Sequence, residues 1–331
     1  MGDVKTVVVA IGGNALSPSG ESASIHNQFR HTRESLLAIV PLAIDGWRIA
    51  IVHGNGPQVG NALVRNEAGR DLVEPLPLGV LVAGTVGWIG YMIQQSLGNE
   101  LARVNCKRRV VTVVCQARVD INDPALRKAT KFVGRALSES AAARLRAIGE
   151  CVEEDGNGIL KRRVSSPIPV EIVESRVIAD LVRAGDIVIA AGGGGIPVYS
   201  DGNLGLEGVD AVVDKDRAAA ILARDIEADM LVILTDVDAV YTGWGTENAR
   251  RIQRLTTSEA LALLASDELG AGSMKPKLEA ATSFVLGGGS RAVIAALENG
   301  PAAVAGESGT EIVPDAPDDK PQFFNRLLRT S

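Results

Sequence analysis

Glycine clusters are the first feature of this sequence whose residue types and spacing could do chemistry. Three clusters follow short apolar segments: Gly12-Gly13-Asn14, Gly54-Asn55-Gly56 and Gly192-Gly193-Gly194-Gly195. Glycine lets backbone N–H groups approach an oxyanion closely, and a helix that follows adds the positive end of its dipole. Any one cluster is equally well explained as a tight strand-to-helix turn. The three together predict a site that binds anions through backbone amides.

Two lysines at predicted helix starts point to the same chemistry. The segments Asp214-Lys215-Asp216 and Gly272-Ser273-Met274-Lys275-Pro276-Lys277 each place lysine near the beginning of a helix. Lysine is unfavourable there because the helix dipole is positive at that end, so an anionic ligand is the expected compensation. We expect Asp216 to hold the ammonium groups of Lys215 and Lys277 in place. The alternative for Asp216 is a helix cap without a catalytic role.

These residues fit phosphoryl transfer. The migrating group spreads negative charge over its oxygens, and an enzyme chiefly positions and neutralises that charge. Glycine amides and lysines suffice for this, with Mg²⁺ carried in by the nucleotide. The sequence contains no G-x-x-x-x-G-K-[ST], G-x-G-x-x-G or G-x-S-x-G motif. The P-loop, dinucleotide-binding and serine-hydrolase patterns are therefore excluded.

The chain around the clusters alternates short apolar strands with helices. Strands are predicted over Lys5–Ile11, Arg48–Val52, Arg109–Cys115, Asp186–Ala191, Met230–Leu234 and Arg291–Ala295. Helices are predicted over Asn27–Ile44, Gly87–Arg103, Arg217–Glu227, Ser258–Ala265 and Lys277–Leu286. Fully apolar strands separated by helices indicate an α/β fold with a largely parallel sheet covered on both faces.

One segment interrupts this alternation. From about residue 118 to about residue 170 the chain is more charged, and Val152–Glu154 and Ile159–Val164 flank a glycine turn as in a hairpin. We predict a small subdomain inserted into a single domain that spans residues 1–331. The polar tail Glu307–Thr330 is predicted to form a last strand and a C-terminal helix.

Composition narrows the function classes. Apolar residues make up 46% of the chain, and the net charge of −6 argues against nucleic acid or an anionic membrane as the main partner. The three cysteines and three histidines lack the spacing of a disulfide framework or a zinc site, so no metal ligands are predicted. The N-terminal apolar stretch is too short for a signal peptide, and the uncharged run from Pro75 to Ser96 is better explained as buried than as membrane-spanning. We predict a reduced, cytoplasmic protein.

Seven segments resemble the carbamate kinases, a branch of the amino-acid kinase family. They are AIGGNAL (10–16), VHGNGPQVGN (52–61), GWIGYMIQQSL (87–97), GGGGIPV (192–198), VVDKDRAAAILA (212–223), LTDVDAVY (234–241) and GSMKPKLEA (272–280). The resemblance implies an open αβα sandwich with an eight-stranded sheet, usually as a homodimer. It implies a carbamate lobe over about residues 1–185, with the insert as a lid, and a MgATP lobe over about residues 186–331. The implied reaction is reversible, and ADP plus carbamoyl phosphate gives ATP, ammonia and CO₂ in arginine or related nitrogen catabolism.

The resemblance also assigns roles to individual residues. Gly12, Gly13 and Asn14 would line the phosphoryl site, and Gly54, Asn55, Gly56, Gly193 and Gly194 would bind the acceptor substrate. Lys215 and Lys277 would contact the nucleotide phosphates and the moving phosphoryl group, organised by Asp216. Asp236, Val237, Tyr241 and Met274 would lie around the nucleotide.

Lys131 is the remaining candidate for catalysis. Ala10 and Ile11 occupy the place before Gly12 where many amino-acid kinases carry a lysine, and Lys5 lies about 20 Å back along the strand at ~3.3 Å per residue. In carbamate kinases a lysine of the inserted subdomain replaces it, and Lys131 matches that lysine. The alternative is a surface lysine.

Two departures from the family pattern leave the acceptor open. The family's K-P-I-G-P-F-Y segment reads KFVGRA here from Lys131 onward, and Lys275 stands where the family has glycine. Both Arg135 and Lys275 add positive charge. A kinase for another small carboxylate, or a catalytically weak nucleotide-binding regulator, therefore remains an alternative to a carbamate kinase.

Overall fold

The computed structural model describes residues 4–18, 20–156, 158–269 and 273–316. In chain order its strands are β1 Thr6–Ile11, β2 Arg48–His53, β3 Val110–Thr112, β4 Gln116–Val119, β5 Ala129–Val133, β6 Val152–Glu154, β7 Leu160–Ser165, β8 Pro169–Ile172, β9 Ile187–Ile189, β10 Ile196–Asp201, β11 Gly205–Gly208, β12 Met230–Thr235, β13 Val240–Thr242, β14 Arg250–Ile252, β15 Arg254–Thr256, β16 Arg291–Ala296 and β17 Thr310–Val313.

The α-helices are α1 Gly13–Leu16, α2 Ile25–Leu36, α3 Val40–Ile44, α4 Gly56–Ala68, α5 Leu78–Arg103, α6 Glu139–Ala147, α7 Ser175–Arg183, α8 Lys215–Asp225, α9 Thr257–Ala265, α10 Met274–Leu286 and α11 Gly300–Ala305. Short 3₁₀ turns cover Pro124–Leu126, Gly192–Gly194 and Leu297–Asn299.

The main sheet has eight strands in the order β15-β17-β16-β12-β1-β2-β9-β3. Neighbouring strands are parallel except for the antiparallel pair β16–β17. This confirms the predicted α/β fold with a mainly parallel eight-stranded sheet. Parallel strands end at the same edge, so the segments that follow β1, β2, β9 and β12 come together there.

Both faces of the main sheet are covered by helices. Val8 and Ala10 of β1 face a core formed with α7, α8, α9 and α10. Val7, Val9 and Ile11 face a second core formed with α2, α3, α5 and α11. Successive side chains of a strand point to opposite faces, so a strand buried on both sides must be apolar throughout, as TVVVAI is.

Smaller sheets flank the main one. The inserted segment contains the antiparallel sheet β5-β7-β6 together with α6. The predicted hairpin is confirmed, because β6 pairs antiparallel with β7. The insert packs closely on α4, since a Cβ on Gly60 would lie 2.0 Å from the Cα of Gly134.

Several predicted boundaries are wrong. The single helix over Asn27–Ile44 is two helices, α2 and α3, because Pro41 suits the first turn of a helix and not its interior. The helix predicted from Gly87 begins at Leu78, since its glycines lower helix propensity without ending the helix. The strand over Arg109–Cys115 shortens to β3, an edge strand whose ladder stops where β9 ends.

Other sequence predictions have mixed outcomes. The last strand of the tail is β17, and the helix predicted after it lies outside the described residues. Cys106, Cys115 and Cys151 are free thiols. None of the helices described in the structure combines the length and apolar character needed to cross a bilayer.

Candidate active site

Glycine loops meet at the carboxyl edge of the main sheet. Ile11, at the end of β1, lies opposite both His53 of β2 and Leu234 of β12. The Gly54 N–H donates to the Ile11 carbonyl at 2.9 Å. A Cβ on Gly54 would lie 2.6 Å from the Gly13 nitrogen, so no larger residue fits. The first two predicted glycine clusters are therefore in contact.

A helix begins at each of these two loops. Gly12 is the N-cap of α1, which starts with Gly13 and Asn14. Asn55 is the N-cap of α4, which starts at Gly56, but its side chain does not bond to that helix. The buried Asn55 amide instead donates from Nδ2 to Thr85 Oγ1 of α5 at 3.0 Å. The first-turn N–H groups of α4 are thus left without a side-chain cap, as an anion site requires.

The third cluster closes over the second. A Cβ on Gly193 would lie 2.2 Å from Asn55 Nδ2, and Gly193 has a φ of +63° that disfavours other residues. A Cβ on Gly194 would lie 2.5 Å from the Val213 carbonyl oxygen, just before α8. The buried residues Gly193 and Gly194 therefore join the second cluster to the start of α8.

Lys215, Asp216 and Lys277 form a buried charge cluster at the start of α8 and α10. Lys215 Nζ lies 2.5 Å from Asp216 Oδ1, and Lys277 Nζ lies 3.4 Å from Asp216 Oδ2. The Asp216 side chain is 4% exposed. Burial lowers the pKa of Lys277, and the charge of Lys215 lowers that pKa further against the opposing pull of Asp216. The expected bridging position of Asp216 is thus observed, and Lys215 Cδ also lies beside Gly54.

Asp214, for which the sequence predicts no role, connects this cluster to the insert. Its Oδ1 caps α8 by accepting from the N–H groups of Asp216 at 2.9 Å and Arg217 at 3.2 Å. Its Oδ2 accepts from the ammonium of Lys131. Burial alone would raise the pKa of Asp214, but Lys131 and Lys215 hold it well below its usual range. The cap position before a helix start was the available sequence signal for this residue.

The predicted nucleotide residues lie on neighbouring segments. Asp236 is exposed and Val237 half-buried, directly after β12. The Tyr241 hydroxyl of β13 donates to Asp238 at 3.0 Å, and the Tyr241 ring meets Trp244 edge to face at 5.1 Å.

The start of α10 supplies the fourth predicted nucleotide residue. Met274 is its first residue and packs half-buried against the core, one turn before Lys277. Lys275 beside it is exposed, and Gly272 lies outside the described residues.

His53 lies beneath the second and third clusters. Its ring is fully buried, and its Nδ1 lies 3.1 Å from the Gly54 carbonyl, so the tautomer that donates from Nδ1 satisfies this contact. Burial lowers the pKa of His53 to about 4, against the raising effect of that bond. His53 is therefore neutral at physiological pH. Its ring packs directly against Gly192, where a Cβ would lie 2.3 Å from Nε2.

Comparison with known proteins places this site in a family. Residues 5–296 match the model of the amino acid kinase family. A carbamate kinase of Pyrococcus furiosus is 42% identical over 314 residues, covering 94% of this chain and 99% of the relative. A carbamate kinase of Halobacterium salinarum is 45% identical over 308 residues, covering 93% and 98%.

Solved structures agree with the sequence relatives. The carbamate kinase from Giardia lamblia bound to AMP-PNP superposes with a TM-score of 0.87 at 36% identity, covering 95% of this chain and 100% of that one. The same enzyme bound to citric acid gives a TM-score of 0.90 at the same identity and coverage. Family model, relatives and structures together show that this chain belongs to the carbamate kinases of the amino acid kinase family and is a phosphotransferase.

Proposed function

We propose that this chain transfers a phosphoryl group reversibly between ATP and carbamate. In the reverse direction, ADP attacks the phosphorus of carbamoyl phosphate, the P–O bond to carbamate breaks, and ATP forms. The released carbamate then decomposes to ammonia and CO₂. The observation that carries the proposal is the buried Lys215–Asp216–Lys277 cluster beside the glycine loops, in a chain related throughout to carbamate kinases.

The lysines of the cluster would neutralise the moving phosphoryl group. Lys215 and Lys277 would contact the nucleotide phosphates and the transferred group, whose charge grows on its equatorial oxygens. Asp216 would hold both ammonium groups in position, so that no reorganisation is needed at the moment of transfer. The amides of Gly12, Gly13 and Asn14 would surround the phosphoryl oxygens.

The acceptor would lie against the second and third clusters. The loop of Gly54, Asn55 and Gly56 would hold the carboxylate of carbamate at the start of α4, with the N–H groups of Asn55 and Gly56 as donors. The N–H of Gly54 is already bonded to the Ile11 carbonyl. Gly193 and Gly194 would close this pocket from the other side through their backbone, since Asn55 and Val213 occupy the space of their missing side chains. The N-terminal half would thus form the acceptor lobe.

The C-terminal half would form the nucleotide lobe. Asp236, Val237, Tyr241 and Met274 would surround ATP or ADP. Mg²⁺ would enter with the nucleotide and offset its phosphate charge. The lysine cluster fits an incoming anionic complex of this kind, and among residues 4–18, 20–156, 158–269 and 273–316 there is no group of three or more His, Cys, Asp or Glu side chains arranged to hold a metal.

Lys131 would complete the site from the insert. Its ammonium bonds to Asp214, next to Lys215, so the insert already brings this charge to the cluster. We propose that the insert acts as a lid and that Lys131 stabilises the phosphoryl group only when the lid is closed. The homodimer and the role in nitrogen catabolism stay predictions from the resemblance, and the cytoplasmic location stays a prediction from the composition.

The direct test is ATP formation from ADP, Mg²⁺ and carbamoyl phosphate by the purified chain. Luciferase detection in quenched samples, with Mg²⁺ supplied in the detection mixture, should show enzyme-dependent ATP well above the rate without enzyme. Omitting Mg²⁺ from the kinase reaction alone should abolish it. Acetyl phosphate and other acyl phosphates serve as parallel donors. ATP from another acyl phosphate but not from carbamoyl phosphate would reject carbamate as the acceptor. Failure of ADP and ATP to bind at millimolar concentration with Mg²⁺ would reject the kinase altogether.

A further inference from the structure

A cavity lies at the amino edge of the main sheet, and we name it the amino-edge groove. It has a volume of about 550 Å³, within the range of small-molecule sites. Its lining includes five basic side chains and one carboxylate: Arg48, Lys107, Arg108, Arg109, Arg183 and Asp186. This concentration of positive charge contrasts with the net charge of −6 of the whole chain.

The groove is on the opposite edge of the sheet from the glycine loops. Arg48 is the first residue of β2, while Arg109 and Asp186 directly precede β3 and β9. These strands are parallel neighbours, so all three begin at the groove. β2 and β9 then lead toward the second and third glycine clusters. The groove is therefore separate from the proposed substrate site.

Two of the arginines build the groove itself. Arg109 forms a two-pronged ion pair with Asp186, at 2.7 and 2.8 Å, which offsets the one carboxylate among the described residues of the lining. Arg108 donates to the backbone carbonyls of Gly185 at 2.9 Å and Trp47 at 2.6 Å. Burial lowers the pKa of Arg108, against the raising effect of nearby acidic groups. A cation is thus fixed in the groove by carbonyl dipoles, without a carboxylate of its own.

The remaining cations are available to a ligand. The side chains of Arg48 and Lys107 make no hydrogen bond or ion pair with any residue that the structure describes, and Arg48 bonds only through its backbone, whose N–H donates to the Lys5 carbonyl. Arg183 makes two ion pairs with long nitrogen–oxygen distances, 3.5 Å to Asp180 and 3.6 Å to Glu227. Like charges gathered in a concave surface repel one another, and their field attracts anions. Several adjacent cations favour a ligand that carries several adjacent negative groups.

We propose that the amino-edge groove binds a small polyanion, of the class that carries two or more linked phosphate groups. Arg48 and Lys107 contact the anion directly, while Arg108 adds a fixed charge from the floor of the groove. Binding there is distinct from substrate binding and does not depend on which acceptor the enzyme phosphorylates.

Calorimetric titration with inorganic tripolyphosphate tests this site. The titration is done at low ionic strength with saturating ADP present, so that the proposed nucleotide site is filled. We expect one class of binding in wild type that weakens as salt is added. The double variant Arg48→Ser/Lys107→Ser should raise the Kd of this class about tenfold or more, because two direct cation contacts are lost. Orthophosphate should bind more weakly than tripolyphosphate.

A matched double variant separates a site from a general charge effect. Arg33→Ser/Arg176→Ser removes the same charge from exposed positions on α2 and α7 and should leave the Kd unchanged. Arg48→Ser/Lys107→Ser should keep the kcat and the KM for ADP of wild type. An equal loss of tripolyphosphate binding in both double variants, or none in either, would overturn the proposal. A change of sedimentation in Arg48→Ser/Lys107→Ser with an unchanged isotherm would do so too, since the groove would then contact a second copy of the chain.

Discussion

The body of the molecule and the inserted sheet supply lysines to one charge network in different ways. Lys215 and Lys277 share the carboxylate of Asp216, and their side chains are 13% and 10% exposed. Lys131 is 34% exposed and reaches the network through Asp214. Two cations are therefore fixed within the main fold, whereas the position of the third depends on how the insert packs on α4. We infer that the fixed pair binds nucleotide phosphates and that Lys131 serves the transfer step.

The largest effect is expected from Asp216→Asn, which removes the charge that fixes the lysine pair. We predict a fall in kcat of about 100-fold or more, the size typical of a lost preorganising group. Steady-state ATP formation measures it, and circular dichroism checks the fold. Asp225→Asn, at the last residue of the same helix, where the carboxylate pairs with Arg224 away from the lysines, is the matched control. Near wild-type kcat in Asp216→Asn would mean that this aspartate has no organising role.

The packing of the insert on α4 can be disturbed without changing any charged residue. Gly60→Ala on α4 would place a Cβ 2.0 Å from the Cα of Gly134, so the insert must shift. We predict a fall in kcat of about tenfold to 100-fold, because a displacement near 1 Å can cost that much. Gly84→Ala on α5, where a Cβ meets nothing within 4 Å, should leave kcat unchanged. Equal kcat in the two variants would show that the insert need not sit as observed.

Two substitutions of Asp214 can distinguish its ion pair with Lys131 from its role as the N-cap of α8. Asparagine caps helices as well as aspartate does, so Asp214→Asn keeps the cap and removes the charge that faces Lys131. We predict a loss in kcat of up to about fivefold, in line with a partly exposed ion pair. Asp214→Ala should lower the free energy of unfolding by a further ~1 kcal/mol. Urea unfolding of both variants measures this, and equal stability would argue against the cap.

The smallest predicted effect is an uptake of protons when ADP binds. Because burial and Lys215 lower the pKa of Lys277, nucleotide phosphates should raise it again on binding. ADP binding at alkaline pH should therefore take up less than about one proton per site, measured by calorimetry in buffers of different ionisation enthalpy. Lys277→Arg should remove the uptake, since arginine stays protonated. Undiminished uptake in Lys277→Arg would assign the proton to another group.

The sequence predicts the core of the fold well for a physical reason. Strands such as Thr6–Ile11 and Met230–Thr235 are buried on both faces, so they are apolar throughout and end sharply at glycine or polar residues. The glycine clusters and the Lys215–Asp216 pair lie at these ends and can likewise be recognised in the sequence. The first and last residues of the helices were harder to predict from the sequence. The extension of α5 back to Leu78 depends on packing that overrides the low helix propensity of its glycines.

Two contacts between distant segments could not be predicted, unlike the contact of Asp216 with Lys277. The bond from Lys131 to Asp214 joins residues 83 positions apart, and it arises because the insert sits on α4 through Gly60 and Gly134. The bond from Asn55 to Thr85 crosses 30 positions and depends on how α4 meets α5. Nothing in the local sequence around these residues specifies such pairings, since tertiary packing determines them.

We infer that Lys215 and Lys277 bind the nucleotide, whereas Lys131 of the insert acts in phosphoryl transfer. The most direct measurement compares Lys131→Ala with Lys215→Ala, taking the Kd of ADP by calorimetry and the kcat of ATP formation from carbamoyl phosphate. We predict a large loss of kcat with unchanged ADP affinity in Lys131→Ala, and a loss of both in Lys215→Ala. Unchanged kcat in Lys131→Ala, or an ADP affinity weakened as much as in Lys215→Ala, would contradict it.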